Sequence, residues 1–273
     1  MYHHRDALDP EEHRRFAAMN DLLNPTSVGM LGLRGGEQIL DVGCGLAQLT
    51  RAMARTAGRS GRVMGIAHSE SWHHEAERLA KESGESKLLE LRWGDLARLP
   101  LESNEWGAFD VVHARFVLGQ VADPPSVVAA MARAARPGGR VIIEDDDHGL
   151  IRLWPEPDGY EELRRSYVRW SETQGFNPFI GRRLVDLLHQ SGATPKRSAS
   201  LSVSSCAGSP SFRPLLRIVV ASFQSAGESM VQSGAIESEQ FEAGMRGLRA
   251  WDDHPAAALW YTTCWAEGRL PKS

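Results

Sequence analysis

A short glycine-containing segment near residue 40 constrains the fold of this 273-residue chain more than any other feature. The apolar run 38–42 predicts a strand, Asp41-Val42-Gly43-Cys44-Gly45 predicts a turn, and 49–56 predicts an amphipathic helix. This order brings backbone without Cβ atoms up to a ligand at a helix N-terminus. The spacing differs from the dinucleotide motif Gly-x-Gly-x-x-Gly, and no Lys-Ser/Thr pair follows as in a phosphate loop. We expect a nucleotide-like ligand at this turn; the alternative is a structural turn that binds nothing.

Alternation of strands and helices continues after this turn. The apolar segments 62–67, 88–93, 109–113 and 140–144 predict four further strands, with helices after Ser71 and Asp123. Such alternation predicts a parallel sheet whose ligands bind at the carboxyl ends of the strands. The residues that lie just past a strand are therefore the candidates for the site: 41–45, Ala67, His68, Asp95, His113 and 145–148.

The two ends of the chain follow another pattern. Asp9-Pro10 predicts the start of a helix that ends at Asn24-Pro25. Beyond residue 150 the sequence predicts two helices, a strand over 196–204, two more helices and a last strand over 259–265. We interpret the chain as an N-terminal helical lid (1–30), a core (31–205), a helical insertion over the acceptor site (206–256) and a final core strand (257–273). The tryptophans beyond residue 150 suit core packing or, as a group, an apolar acceptor pocket: Trp154, Trp170, Trp251, Trp260 and Trp265.

Charge and cysteine content exclude several classes of protein. The formal net charge is −4 and the pI is about 6.2, which argues against a nucleic-acid-binding surface. Cys44, Cys206 and Cys264 have neither metal-ligand spacing nor an even disulfide framework, so we expect reduced thiols. No apolar leader and no run of membrane-spanning length is present. We therefore predict a soluble, cytoplasmic monomer or homodimer that does not bind membranes.

At this point the chain resembles the class I S-adenosylmethionine-dependent methyltransferases. It is similar to their small-molecule branch, which includes ubiquinone/menaquinone-type and natural-product biosynthesis enzymes. The resemblance implies a Rossmann-like, doubly wound, seven-stranded α/β sheet with an antiparallel last strand and helical lids. It also implies S-adenosylmethionine as the cofactor and S-adenosylhomocysteine as its product. The motifs that carry it occur in the family's order: Ile39-Leu40-Asp41-Val42-Gly43-Cys44-Gly45, Gly61-Arg62-Val63-Met64-Gly65-Ile66, Trp93-Gly94-Asp95, Phe109-Asp110-Val111-Val112-His113-Ala114-Arg115 and Arg136-Pro137-Gly138-Gly139-Arg140-Val141-Ile142-Ile143.

The same resemblance assigns roles to individual residues. Gly43 and Gly45 would lie against the methionine part of the cofactor, and Asp41 would orient its amino group. Asp95, with the Leu96 backbone, would bind the adenine; the alternative for Asp95 is a helix N-cap. The His113 carbonyl would meet the cofactor's amino group. The implied cofactor-binding set is Asp41, Gly43, Cys44, Gly45, Ala67, His68, Asp95, Leu96 and His113.

One position departs from the family. Where the second strand ends, the family has Asp or Glu to bind both ribose hydroxyls, and this chain has Ala67. Loss of such charged hydrogen bonds weakens binding by about tenfold to a few hundredfold. His68 is one substitute, and Glu70 is another if the loop is shifted. Ala47 replaces the family's third glycine, a smaller change.

Histidines are the candidate catalytic groups, because a general base assists transfer to a hydroxyl or an acidic carbon. His148, after the acidic run 144–147, is the first candidate and His113 the second; the alternative for His148 is an ordinary loop residue. The acidic run would suit Mg²⁺, but successive strand residues point to opposite faces, so we predict no metal.

These features predict a methyltransferase that acts on a small, partly apolar molecule, at oxygen rather than carbon or nitrogen. The first alternative, motivated by Ala67, is an enzyme of this fold that performs a cyclisation or a rearrangement instead. The second alternative is a non-catalytic binding protein, since fold does not settle function. A nucleic-acid methyltransferase is disfavoured by the net charge.

Overall fold

A computed structural model describes residues 10–272, so the predicted N-cap Asp9 lies outside the described residues. Within that range the structure contains eight strands: β1 Gln38–Val42, β2 Arg62–Ala67, β3 Glu90–Trp93, β4 Phe109–Arg115, β5 Ala135–Asp146, β6 Arg152–Trp154, β7 Thr194–Cys206 and β8 Ala258–Arg269. Eight α-helices accompany them: α1 Pro10–Leu31, α2 Gln48–Ala57, α3 Glu70–Glu82, α4 Pro124–Ala134, α5 Tyr160–Thr173, α6 Leu184–Gln190, α7 Phe212–Gln232 and α8 Ser238–Trp251.

The strands form one mixed sheet in the order β3-β2-β1-β4-β5-β8-β6, and β7 pairs with the other side of β8. β1 to β5 are parallel, whereas β8 is antiparallel to β5, β6 and β7. The predicted doubly wound α/β sheet with an antiparallel last strand is therefore confirmed. The described chain has one strand beyond the predicted seven. This strand, β6, pairs with Ala258–Trp260, on the side of β8 where β5 pairs with Thr263–Arg269.

Some predicted boundaries are wrong. The first helix does not end at Asn24-Pro25 but continues through Pro25 to Leu31. Leu23 and Leu31, on either side of the proline, are both buried. Their burial offsets a proline penalty of about 3 kcal/mol in a helix interior.

Two strand starts also differ from the prediction. β5 begins at Ala135 rather than Arg140, because the Pro137-Gly138-Gly139 segment is accommodated by a register shift opposite Phe109. β3 begins at Glu90 rather than Leu88. Both differences arise from strand pairing, which propensity does not encode.

The apolar residues form separate clusters on the sheet and among the C-terminal helices. Helices α5, α7 and α8 form a cluster of their own that contains Leu163, Phe223 and Trp251. Among the five tryptophans beyond residue 150, Trp251 and Trp265 are core residues, whereas Trp154 is 69% exposed. Of these five, only Trp170 lines either of the two cavities described below, so the five do not form one pocket wall. No helix in the described range is long and apolar enough to cross a membrane.

Candidate active site

The glycine turn lies at the carboxyl end of β1 and forms one wall of a cleft of about 90 Å³. Gly43 and Gly45 both have positive φ, at 78° and 54°. The amides of Gly43 and Cys44 donate to the carbonyl of Ile66, which fixes the turn against β2. A Cβ on Gly43 would lie 2.3 Å from Val117 Cγ2. Glycine is therefore required at 43 for packing as well as for its conformation.

Asp41, at the base of this cleft, is held by two protein groups. Its carboxylate accepts a hydrogen bond of 2.6 Å from the Thr50 hydroxyl, and its other oxygen lies 2.9 Å from His113 Nδ1. Asp41 and His113 are register partners on β1 and β4, so their side chains share a face of the sheet. His113 is fully buried, and its Nε2 has no hydrogen-bond partner among the described residues. The His113 side chain lines neither this cleft nor the larger cavity that adjoins it, which does not support His113 as a base for an acceptor.

The end of β2 has an apolar residue followed by a histidine. Ala67 is buried in a small apolar cluster with Leu46 and Trp72. The next residue, His68, lines the cleft with its ring 5.6 Å from the Trp72 ring. Glu70 is exposed on α3 and does not line the cleft. Of the two substitutes that the sequence offers for a carboxylate here, only His68 reaches this cleft.

Asp95 and Leu96 are placed differently from each other. Leu96 is buried and lines the cleft. Asp95 is exposed, does not line the cleft, and accepts a hydrogen bond of 2.7 Å from the amide of Ala97. No helix begins in the described stretch between β3 and β4, so the helix N-cap alternative for Asp95 is wrong; its role in adenine binding stays a prediction.

A buried polar network attaches α1 to the sheet beside the cleft. The Arg115 guanidinium donates to Asn20 and Asn24 and, at 3.0 Å, to Ser27. The Ser27 hydroxyl in turn donates to Glu144 at 2.7 Å. Burial lowers the pKa of Arg115. Through these contacts α1 is held over the cleft, which its residue Asn20 lines.

A second, larger cavity of about 390 Å³ adjoins the cleft. The two share the lining residues Met19, Phe116 and Gln120. Phe116 has a φ of 56°, a strained conformation for a bulky residue and one that often marks a functional site. Its lining mixes polar and apolar residues, and it includes five aromatic side chains from α5, α7 and β8: Tyr160, Tyr167, Trp170, Phe223 and Tyr261.

Three consecutive residues at the end of β5 have three different environments. Asp145 accepts from the amides of Val117 and Leu118, and burial raises its pKa to about 6. Asp146 lines the larger cavity and accepts a 2.8 Å hydrogen bond from the Tyr261 hydroxyl. Burial and then the neighbouring Asp145 raise the pKa of Asp146 to about 7. Asp147 forms a salt bridge to Arg182.

His148, the first candidate base, does line the larger cavity. Its ring stacks on Tyr167 with 5.1 Å between centroids. Burial lowers the pKa of His148 to about 4, so the ring is neutral near pH 7. No group of three His, Cys, Asp or Glu in the described part of the chain is arranged to hold a metal ion.

Sequence reasoning missed the hydrogen bond between Asp146 and Tyr261 at the larger cavity. The acidic run suggests only a metal site from its composition, although its position past a strand already marks it as part of the site. Tyr261 gives no signal in the sequence, because its contact with Asp146 spans 115 residues.

The raised pKa of Asp146 predicts a pH dependence of stability. The folded state holds this proton more tightly than the unfolded chain, so the stabilisation is lost as pH rises from about 4 to 7. Asp145 acts in the same direction, whereas the lowered pKa of His148 acts in the opposite direction between about 4 and 6.5. In Asp146→Asn we expect the free energy of unfolding, relative to wild type, to increase by up to about 1.4 kcal/mol per pH unit in that window. Urea titrations at several pH values measure this; a constant difference would contradict it.

Comparison with known proteins identifies the class of this domain. Residues 40–143 match the family model described as a methyltransferase domain. Demethylmenaquinone methyltransferase of Bacillus subtilis is 31% identical over 153 residues, 56% of this chain and 59% of that protein. Ubiquinone biosynthesis O-methyltransferase of Methylococcus capsulatus is 39% identical over 145 residues, 53% of this chain and 57% of that protein. The chain thus spans little more than half the length of these relatives.

A solved structure from Bacillus halodurans, of a protein assigned as a methyltransferase, has a TM-score of 0.59. It covers 91% of this chain and 99% of its own, at 15% identity, which is evidence for the fold alone. The match of residues 40–143 confirms the predicted resemblance to methyltransferases for that part of the chain. These findings also support S-adenosylmethionine as the cofactor.

The residues of the cleft fit this cofactor. Leu96 and Trp72 provide apolar surface for a base, the glycine turn provides backbone without side chains, and the buried carboxylate of Asp41 suits a cation. The strand-end carboxylate is absent, and His68 is the donor or acceptor nearest in sequence to its position.

Proposed function

We propose that this chain, whose residues 40–143 match a methyltransferase domain, transfers a methyl group from S-adenosylmethionine to a small, partly apolar molecule. Oxygen is the preferred acceptor atom over carbon or nitrogen. The observation that carries the proposal is the junction of two cavities at Phe116, where the cleft of the glycine turn meets an aromatic-lined space of about 390 Å³. A cavity of this size and lining suits a small ligand with a ring system.

The cofactor supplies a methyl group on a sulfonium, and the protein has to align the acceptor in line with it. The glycine turn, His68 and Leu96 hold the cofactor in this proposal. Tyr167, Trp170 and other aromatic side chains orient the acceptor and exclude water. Polar groups at the end of β5 receive the proton that a hydroxyl acceptor loses.

We propose that the predicted lids, 1–30 and 206–256, cover the two cavities through the residues that the structure describes; residues 1–9 lie outside them. Met19 of α1 lines both cavities, and Phe223 of α7 lines the larger one. α8, in the same insertion, contributes no lining residue and instead packs on α5 and α7. A small-molecule acceptor, a cytoplasmic location and a monomeric or homodimeric state remain predictions.

A second candidate function is a cyclisation or rearrangement performed on the same fold. The buried Ala67 favours it, because an enzyme that no longer turns over the cofactor has no need for the ribose carboxylate. A non-catalytic binding protein is a third candidate.

Two measurements on the purified chain test the proposed function. Calorimetric titration with S-adenosylmethionine and S-adenosylhomocysteine measures cofactor binding. Incubation with S-adenosylmethionine and a panel of hydroxybenzoates, flavonoids and quinols, followed by mass spectrometry, detects products heavier by one methyl group. Micromolar binding with a methylated product supports the proposal; a product of unchanged mass supports the cyclase alternative; neither binding nor product supports the binding protein.

The Ala67→Asp variant tests how the ribose is held. The added carboxylate restores two charged hydrogen bonds, so we expect S-adenosylmethionine to bind about tenfold to a few hundredfold more tightly. His68→Ala is expected to weaken binding, and His74→Ala, at an exposed position on α3, serves as the control. Unchanged affinity in both Ala67→Asp and His68→Ala would contradict this placement of the ribose. Binding seen only in Ala67→Asp would contradict the methyltransferase assignment of the native chain.

A further inference from the structure

Two carboxylates line the larger cavity, Asp145 and Asp146, and they differ in how far the protein already satisfies them. Asp146 is the last residue of β5, is partly exposed, and lines the cavity. Its Oδ1 accepts a hydrogen bond from the hydroxyl of Tyr261, which is buried on β8 and lines the same cavity. We propose that Asp146 is the catalytic base that removes the acceptor's proton and that Tyr261 is its positioning residue; this inference rests on the proposed function.

The neighbouring carboxylates are already committed to the protein. Both oxygens of Asp145 accept backbone amides, Oδ2 from Val117 and Leu118 and Oδ1 from Asp146. Both oxygens of Asp147 accept hydrogen bonds from Arg182. Asp146 Oδ2, by contrast, accepts no hydrogen bond from another residue in the described range. This oxygen is available to an acceptor hydroxyl.

Asp146 is also better suited than His148 to hold a proton. Burial lowers the pKa of His148 to about 4, and its ring is stacked against Tyr167. A base is most effective when its pKa lies near the working pH, and that of Asp146 is about 7. Several charged or titratable groups surround Asp146: Glu144 and Asp145 on β5, Asp147 just after it with its partner Arg182, Tyr261 and Cys264 on β8, Arg115 on β4, and His148 and Arg164 at the cavity. The three neighbouring carboxylates favour the protonated form of Asp146.

The step balances without any further reactant. The acceptor oxygen attacks the methyl carbon, an oxygen–carbon bond forms, and the carbon–sulfur electron pair returns to sulfur. The acceptor's O–H bond breaks and its proton moves to Asp146 Oδ2, which later releases it to water. A sulfonium and a neutral hydroxyl thus give a thioether, a methyl ether and one proton.

The kinetic test compares Asp146→Asn, Tyr261→Phe and His148→Gln with wild type, using the most active member of the hydroxybenzoate, flavonoid and quinol panel. We expect Asp146→Asn to lower kcat by about 10²–10⁴-fold, with KM changed less, and to abolish the rise of kcat around pH 7. Tyr261→Phe removes a hydrogen bond that lowers the pKa of Asp146, so the rise should move to higher pH. The His148→Gln variant should keep the rise of kcat around pH 7. The proposal would be overturned if the rise of kcat around pH 7 disappeared in His148→Gln and persisted in Asp146→Asn.

Folding and cofactor use are measured separately. Thermal unfolding and S-adenosylmethionine titration of each variant show whether a loss of rate reflects a damaged protein. If these controls are normal and Asp146→Asn retains full activity, the proposal is wrong. If the wild-type chain binds no cofactor and methylates nothing, the proposed function fails instead.

A second readout does not depend on turnover. Para-nitrophenol is coloured only as the phenolate, so its absorbance reports its ionisation when it is bound with S-adenosylhomocysteine. A carboxylate that accepts the phenol's hydrogen bond raises the apparent pKa of the bound probe. We expect that pKa to fall in Asp146→Asn. No change in that variant, or no binding of the probe to wild type up to its solubility limit, would overturn the proposal.

Discussion

The Gly43→Ala variant is expected to lose about 2–5 kcal/mol of its free energy of unfolding and its binding of S-adenosylmethionine. Left-handed backbone costs about 1–2 kcal/mol in a residue with a Cβ. Gly43 has a φ of 78°, and the new methyl group would also lie 2.3 Å from Val117 Cγ2. Relief of that overlap by movement of the packed loop costs about 1–3 kcal/mol more. Denaturant titration and cofactor calorimetry measure the two effects.

Gly84→Ala is the matched control for backbone strain alone. Gly84 follows the end of α3 with a φ of 69°, and no atom lies within 4 Å of the position that an added methyl group would take. We expect this variant to lose only about 1–2 kcal/mol and to bind the cofactor normally. Equal losses in Gly43→Ala and Gly84→Ala would mean that the contact between the turn and Val117 has no energetic weight.

The Arg115→Met variant is expected to lose about 3–5 kcal/mol of its free energy of unfolding. Removal of one member of a buried charged network leaves its partners unsatisfied, which costs about that much. Asn20, Asn24 and Ser27 would each lose a donor, and Glu144 would lose a nearby positive charge. Since these residues join α1 to the sheet, we also expect α1 to become sensitive to limited proteolysis.

Arg165→Met is the control for this change. Arg165 has 61% of its side chain exposed and pairs with Glu161 on the surface of α5. Exposed pairs of this kind contribute little, so we expect a change within about 0.5 kcal/mol. A loss in Arg115→Met as small as that of the control would show that the buried network does not hold α1 in place.

Much of the fold could be predicted, because its signals are local in the sequence. The alternation of apolar runs and helical periodicity predicts the parallel strands β1 to β5, and each connection between them is expected to be right-handed. The continuation of α1 through Pro25 was not predictable, because burial of Leu23 and Leu31 against distant residues decides it. β6 was missed for the same reason: it exists only through its pairing with β8.

The candidate site was predicted as a region and only partly as residues. The strand-end rule identified the glycine turn, His68, Asp145, Asp146 and His148, which line a cavity, but also Ala67 and Asp147, which line neither cavity. His113 satisfies the same rule, but its register with Asp41 turns its side chain to a fully buried position. Asp95 also satisfies it, yet the structure places it on the surface.

By itself the sequence determined the order of the elements, the glycine turn and the resemblance of residues 40–143 to a methyltransferase domain, because each depends on neighbouring residues and their spacing. The tertiary structure alone decided which side chains act together. Asp145, Asp146 and Asp147 illustrate this, since the first accepts backbone amides, the second accepts a hydrogen bond from Tyr261 and the third pairs with Arg182. Pleating alternates their directions, and the residues they meet are brought there by strands and loops far away in the chain. No local pattern encodes those partners.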